Sequence, residues 1–586
     1  MNTKKSLFIP RQLTVVLLVL SLFLSGCSYP FQSQTQAREA FEELSSDIFM
    51  TSVTSDSLTL NYTLAHPEDY GISDVPVTLG RFSLSDMKKN LERAEGYRER
   101  LEQIRRSALT EEQKLTYDIL KDAYDVSSSE EDFFLYYEVL SPSVGMQAQL
   151  PILLAEYHFY EKRDIDTYLE LLPMVYDYFQ DILVFEKEKS AAGLFMCDRA
   201  VDDIVAQCRD FIKEPEKNVL ITYFNEKTDA QEGLSEKERT AYKKKNKELV
   251  MTKIIPAYEQ LANGLISLKG TGKYEGGLCN YPDGKAYYKK LLESETGSSW
   301  SPQQMKKKMD DAITGSFRTI AACYQENPDI LEECGDVTYP LSEPDEILSY
   351  LESAIQTDFP AMDQVNYTVK YVPKELQDFL SPAFYLTPAI DLTTENNIYI
   401  NKGKNNNLDA IFTTLAHEGY PGHLYQNVYF QQQNPAPVRY VINYEGYSEG
   451  WATYVEMQSY HMAGFPEDVA TVLEADQTAT LCLHGRIDLG VNYYGWSLQD
   501  VADYLEDFGI TDDEAAEQMY YTMIEEPGNY MKYVIGYLEF KELRDSAEKK
   551  LGDSFEAQAF HNVILKTGPS SFDILKTRVS DWIKKQ

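Results

Sequence analysis

Long apolar runs, positive charge, paired cysteines and histidine are all scarce in this chain of 586 residues. The one extended apolar run covers residues 13–24, after Lys4, Lys5 and Arg11 and before Leu24-Ser25-Gly26-Cys27. Crossing a bilayer takes about 20 apolar residues, so this run reads as the core of a signal peptide and not as a transmembrane helix. Positive charge is outweighed, 55 Lys and Arg against 93 Asp and Glu, for a net charge of −38. A body this acidic repels phosphate backbones, and the Lys-rich run at 243–247 is short and flanked by acids, which argues against nucleic acid as a partner. No two of the seven cysteines have Cys-x-x-Cys spacing, which removes a zinc ribbon or a thioredoxin-like site. Cys197 with Cys208, or Cys323 with Cys334, could close short loops after export, and isolated buried thiols fit equally well. Glycine (30) and proline (24) are modest beside 43 tyrosines and a hydrophobic share of 43%. That composition excludes collagen-like and disordered chains and allows a large core.

The ending Leu-Ser-Gly-Cys resembles a bacterial lipobox, which implies that residues 1–26 are a lipoprotein signal peptide. Cys27 then becomes the acylated (for example palmitoylated) first residue of a protein anchored to the cell membrane from outside the cytoplasm. Residues 27–37, rich in Ser, Gln and Pro, read as a tether, and residues 38–586 as the body. Helix signals dominate the body. Residues 84–104 have helical spacing, and capping boxes open at Thr110-Glu-Glu-Gln113, Ser235-Glu-Lys-Glu238, Ser301-Pro-Gln-Gln304 and Thr511-Asp-Asp-Glu514. Strand signals are few, the clearest at 397–401 and a weaker one at 367–371. The expected fold is mainly α with a small β-sheet. It divides into a helical lobe at about 38–300 and a second lobe at about 301–586, separated near the Gly-rich stretch 270–297.

Of only seven histidines, two fall in His417-Glu418-Gly419-Tyr420-Pro421-Gly422-His423. A His-acid-x4-His match is expected by chance about 0.01 times in a chain of this composition. Apolar residues at 408, 411, 412 and 415 place the His-Glu pair on a helix. In the zinc-protease motif His-Glu-x-x-His the imidazoles stand roughly 40° apart around the helix, whereas six residues separate them by roughly 120°. Pro421 and Gly422 supply a break that could swing His423 back toward the same ion; otherwise only His417 is a ligand. A third ligand is sought outside this segment, and Glu449 is the best candidate, with Ala452 and Thr453 as small neighbours that let another helix approach. An exposed first-turn acid is the plain alternative for Glu449, and Glu445, Glu456 and His461 are weaker candidate ligands. Glu418 is placed to act as general base and then acid. Tyr530, Tyr533 and Tyr537 share one helix face, where core packing is the ordinary explanation and a phenol stabilising an oxyanion the functional one. His461 could donate in the same way. Arg439, Arg486 and Arg544 could each bind a substrate carboxylate, although ion pairing is the ordinary role of such residues.

These residues carry a resemblance. His417-Glu-Gly-Tyr-Pro-Gly-His423-Leu-Tyr-Gln426, Ser448-Glu-Gly-Trp-Ala-Thr-Tyr454 and Pro527-Gly-Asn-Tyr530-x-x-Tyr533-x-x-Gly536-Tyr-Leu-Glu resemble the bacterial family known as domain of unknown function 885. Asn61-Tyr-Thr63, Pro67-Glu-Asp-Tyr-Gly71, Pro282-Asp-Gly284 and Gly568-Pro-x-x-Phe572 extend the resemblance from about residue 38 onward. It implies a helical, two-lobed zinc metallopeptidase related to the glutamate-ligand zincins, with a small sheet lining the cleft. Ser448-Glu449-Gly-Trp-Ala452 is similar to the Asn-Glu-x-x-Ala segment that supplies the third zinc ligand there. It also makes 397–401 a candidate edge strand for an extended peptide, with Asn397 and Tyr399 beside the substrate. One departure is Asn492, where many relatives carry a His. The resulting expectation is hydrolysis of peptide bonds by a surface lipoprotein holding one Zn2+ per chain. The alternatives are a non-catalytic peptide- or solute-binding lipoprotein with this fold and a cell-surface scaffold whose His-Glu cluster is structural.

Overall fold

The computed structural model describes residues 32–586 apart from 128–130, 143, 373, 375–376, 378–380, 393 and 404–410. The leader, Cys27 and most of the tether lie outside these residues. Ser33 and Gln36 form a capping box and start a helix at Gln34–Val53. Residues 34–37, read above as tether, are therefore helical, and Ala37 is already buried against the body.

Helix takes up 71% of the described residues and strand 3%, as the few strand signals implied. The boxes at Thr110, Ser235 and Ser301 form as expected. At 511–514 the cap is instead Asp512, whose carboxylate accepts the backbone N–H of Glu514 at 2.9 Å. Among the described residues no helix is long and apolar enough to cross a membrane. Cys197, Cys208, Cys279, Cys323, Cys334 and Cys482 are all free thiols.

Apolar side chains gather into three large clusters. One holds Phe41, Leu44, Leu101 and Leu120 with Val438, a second holds residues from Val139 to Leu265 with Val372 and Tyr399, and the third holds Ile119 and residues from Tyr288 to Val579. Helix α1 (Gly284–Thr296) brings Tyr288 and Leu292 into the third cluster. Strands β1 (Tyr367–Tyr371), β2 (Ala383–Leu386) and β3 (Asn396–Ile400) form one sheet in the order β1-β3-β2. β3 pairs parallel with β1 and antiparallel with β2. The expectation of an edge strand at 397–401 is thus overturned: β3 is central, its backbone committed on both sides. Alternation along β3 sends Ile398 and Ile400 into the third cluster and Tyr399 into the second, stacked on Phe384 at 4.9 Å. The sheet is a wall shared by two cores, and the helices that follow it build the site: α2 (Ile411–Glu418), α3 (His423–Gln432), α4 (Glu445–Ser459) and α5 (Asn529–Leu551).

Candidate metal centre

Helix α2 is anchored by buried Ile411, Phe412, Leu415 and Ala416; the stripe position 408 lies outside the described residues. His417 and Glu418 occupy its last turn. The chain then turns through Gly419, a cis Tyr420–Pro421 bond and Gly422, and His423 opens α3. Gly422 packs so tightly on the turn that a Cβ there would sit 1.7 Å from the His417 carbonyl oxygen. A glycine is therefore required where the two helices meet. Trp451, fully buried on α4, donates its indole N–H to the Pro421 carbonyl at 2.9 Å and ties the break to the helix that carries Glu449.

The result is a compact donor set. His417 and His423 rings lie 4.8 Å apart, and their Nε2 atoms stand 3.6 and 3.4 Å from the same Glu449 oxygen. One ligand atom from each residue falls within 4.8 Å of the other two. A tetrahedral ion with bonds of about 2.0–2.2 Å needs its ligands roughly 3.3–3.6 Å apart. The three residues fit such an ion, and with two imidazoles and one carboxylate the set matches the borderline-soft preference of zinc. Glu456, two turns along α4, takes the other nitrogen of His417: Nδ1 to Oε2 is 3.0 Å. It orients the ring and is not part of the triangle, correcting its standing as an alternative ligand.

Electrostatics support a positive charge at this point. Burial opposes charging of His417, yet the carboxylates of Glu449 and Glu456 hold its imidazole protonated well above the usual range. Burial also pushes Glu449 upward, but the two imidazoles outweigh it and hold that carboxyl far below its ordinary value. Glu418 accepts the Tyr385 backbone N–H at 2.8 Å, so the outer edge of β2 positions this carboxylate. Burial raises its pKa, against the pull of both imidazoles and of that N–H, and Glu449 adds to the rise.

Among the three tyrosines of α5, only Tyr533 feels this site. Burial first, then the Glu449, Glu418 and Glu445 carboxylates, drive its pKa upward and keep the phenol a donor. Tyr537 instead meets Thr478, hydroxyl to hydroxyl at 3.2 Å, and Tyr530 stacks on His484. His461 is held between Glu467 and Glu474 at 3.0 and 2.9 Å, both ring nitrogens engaged away from the triangle. Tyr399 donates to Glu156 across the sheet, where Asn397 lines a separate polar cavity with Lys227 and Lys370. Neither reaches the triangle, because both point to the other face of β3. Asn492 is a clasp: its amide donates to Asp488 and the Met523 carbonyl at 2.9 and 2.7 Å and accepts the Leu278 N–H. Arg486 pairs with Asp310, Arg544 with Glu548, and Arg439 donates to the Thr567 and Pro569 carbonyls.

Comparison with curated proteins yields no match. Two solved structures share the fold. A "putative lipoprotein" from Colwellia psychrerythraea superposes with a TM-score of 0.81 at 19% identity, over 94% of this chain and 100% of its own. A "putative lipoprotein of unknown function" from Shewanella oneidensis gives 0.61 at 15%, over 93% and 99%. Residues 69–579 match one family model, and the chain belongs to that family: "Bacterial protein of unknown function (DUF885)".

Proposed function

We propose that this protein is a zinc-dependent peptidase anchored outside the cytoplasm through Cys27. One observation carries the reading: two imidazole nitrogens lie 3.6 and 3.4 Å from one carboxylate oxygen, with a further, half-buried carboxylate, Glu418, beside them. A binding or structural ion site has no use for Glu418. His417, His423 and Glu449 would hold the ion, and zinc bound there supplies Lewis acidity and a nucleophilic water near neutral pH. Glu418 takes the proton of the attacking water and passes it to the leaving amine as the C–N bond breaks. The Tyr533 hydroxyl donates to the carbonyl oxygen as charge builds there. The substrate strand is assigned to β2, not β3. Tyr385 turns its N–H away from β3 and toward Glu418, so the outer edge of β2 runs past the base, and an extended peptide laid along it meets Glu418. The anchor is supported by the leader and lipobox pattern and by the description of both structural neighbours as lipoproteins.

Metal analysis and a paired variant test this reading. Purified protein is expected to carry about one zinc per chain. Glu418→Gln should keep the metal and lower hydrolysis of a peptide library by roughly 10²- to 10⁴-fold. Equal turnover by the variant removes the base, and peptide affinity with no cleavage by either form favours the binding protein instead.

A further inference from the structure

A cavity of about 190 Å³ opens beside α1, somewhat more than the ~150 Å³ that admits a benzene ring. Phe133, Phe134, Tyr137, Tyr287 and Leu291 wall it, and one acid, Glu295, faces it. Backbone contacts pack α1 against the helices that carry Glu449 and Tyr533. Gly446 lies so close to α1 that a Cβ on it would be 2.0 Å from the Thr296 carbonyl oxygen. Thr296 follows Glu295, and Gly446 precedes Glu449 by three residues on α4. Gly528, which caps α5, rests on the Leu291 and Glu295 side chains, 3.3 and 3.9 Å from its Cβ position. Glu445 interacts with both Glu295 and Tyr533.

The Glu295 carboxylate feels one nearby ammonium, Lys532, and is repelled by Glu445; Lys532 hangs 5.7 Å from the Tyr533 ring. Lys290, the lysine that lines the cavity, donates to the Val126 carbonyl at 3.5 Å and sits 4.0 Å from Glu293. Among the described residues no lysine or arginine nitrogen lies within 4 Å of the Glu295 carboxylate. Burial works against Glu295 holding its charge unaided, so a cation arriving with its own apolar stem relieves the site while the rings receive the stem.

We propose that this cavity receives a lysine or arginine side chain of the peptide substrate, with Glu295 pairing to its charge and the aromatic walls packing its stem. The inference rests on the peptidase reading above. A neutral aromatic side chain would fill the walls but bury Glu295 without a partner, so the pocket rejects it as well as favouring the cation. The net charge of −38 draws basic peptides to the same cleft.

Two measurements test it. In a peptide-library digest read by mass spectrometry, the wild type should cut at a fixed offset from Lys or Arg. Glu295→Gln should lose at least tenfold in kcat/KM on those peptides while peptides with a neutral aromatic residue at that position gain, and Glu295→Asp should recover part of the loss. In protein stripped of metal with a chelator, benzamidine binding measured by calorimetry should weaken at least tenfold in Glu295→Gln and in Tyr137→Ala. Cleavage without bias toward basic residues, or benzamidine binding indifferent to Glu295, overturns the pocket and leaves the peptidase standing. No cleavage by zinc-loaded wild type overturns the peptidase reading and, with it, the assignment of the cavity to a substrate.

Discussion

Glu456 controls which face of His417 is available. By holding Nδ1 at 3.0 Å it leaves Nε2 turned toward Glu449 and His423. Such orienting carboxylates typically change metal affinity by roughly 10- to 100-fold when removed. Glu456→Ala should therefore weaken zinc binding by that factor in a competition titration with a chelator, whereas Glu418→Gln should leave the affinity near wild type. Undiminished affinity in Glu456→Ala would show that the ring keeps its aim without help. His417 and His423, with Glu418 between them, stand out in the sequence because histidine is scarce, whereas Glu449, one acid among many, is marked only by its small neighbours Ala452 and Thr453 and by the resemblance of its segment. Glu456 had a weaker signal, seven residues from Glu449 and so on the same helix face. The tyrosine stripe misled for a physical reason. α5 is packed on several sides, with Met531, Val534, Ile535 and Phe540 all buried, so tyrosines three and four residues apart reach different neighbours.

Between elements, the decisive contact is glycine against glycine. A Cβ on Gly450 would meet the Gly536 Cα at 2.4 Å, and one on Gly536 would meet the Gly446 carbonyl oxygen at 2.3 Å. α4 and α5 thus approach backbone to backbone, which brings Tyr533 beside Glu449. The sequence pointed to Ala452 and Thr453 for this approach, but the partner, Gly536, lies 86 positions from Gly450 in the chain and no local pattern pairs the two. β2 escaped notice for a similar reason: its four residues are too short a run to show alternation, and only its register with β3 reveals it. Gly450→Ala should destabilise the fold by about 1–3 kcal/mol through overpacking. Gly96→Ala lies inside the helix Leu84–Glu102 with nothing within 4 Å of the added methyl. It should stabilise by up to about 1 kcal/mol from helix propensity alone. Urea midpoints moving in opposite directions would bear out the contrast; a neutral Gly450→Ala would mean the helices can separate at no cost.

Across the whole molecule, composition and capping patterns foretold a large helical body, but not how distant segments are tied. Asp488 is one such tie. It is fully buried and accepts the Tyr288 hydroxyl at 2.7 Å, the Asn492 amide at 2.9 Å and the Gly528 N–H at 2.8 Å, joining α1 to the start of α5. Burial outweighs these three donors and pushes its pKa up to about 7, against about 3.9 in an unfolded chain. Between those values the folded protein holds a proton that the unfolded chain has released. Stability from this group is therefore complete below about pH 4, falls as pH rises toward 7, and is flat above it. Glu525, also pushed up to about 7 by burial and by Asp203, adds slope of the same sign. Asp488→Asn cannot titrate, so its stability profile between pH 4 and 7 should be flatter than wild type by up to one proton, about 1.4 kcal/mol per pH unit. Urea unfolding at half-unit steps reads this directly. If the two profiles run parallel, Asp488 is ionised in the folded protein throughout that range, and the three donors, not burial, govern its charge.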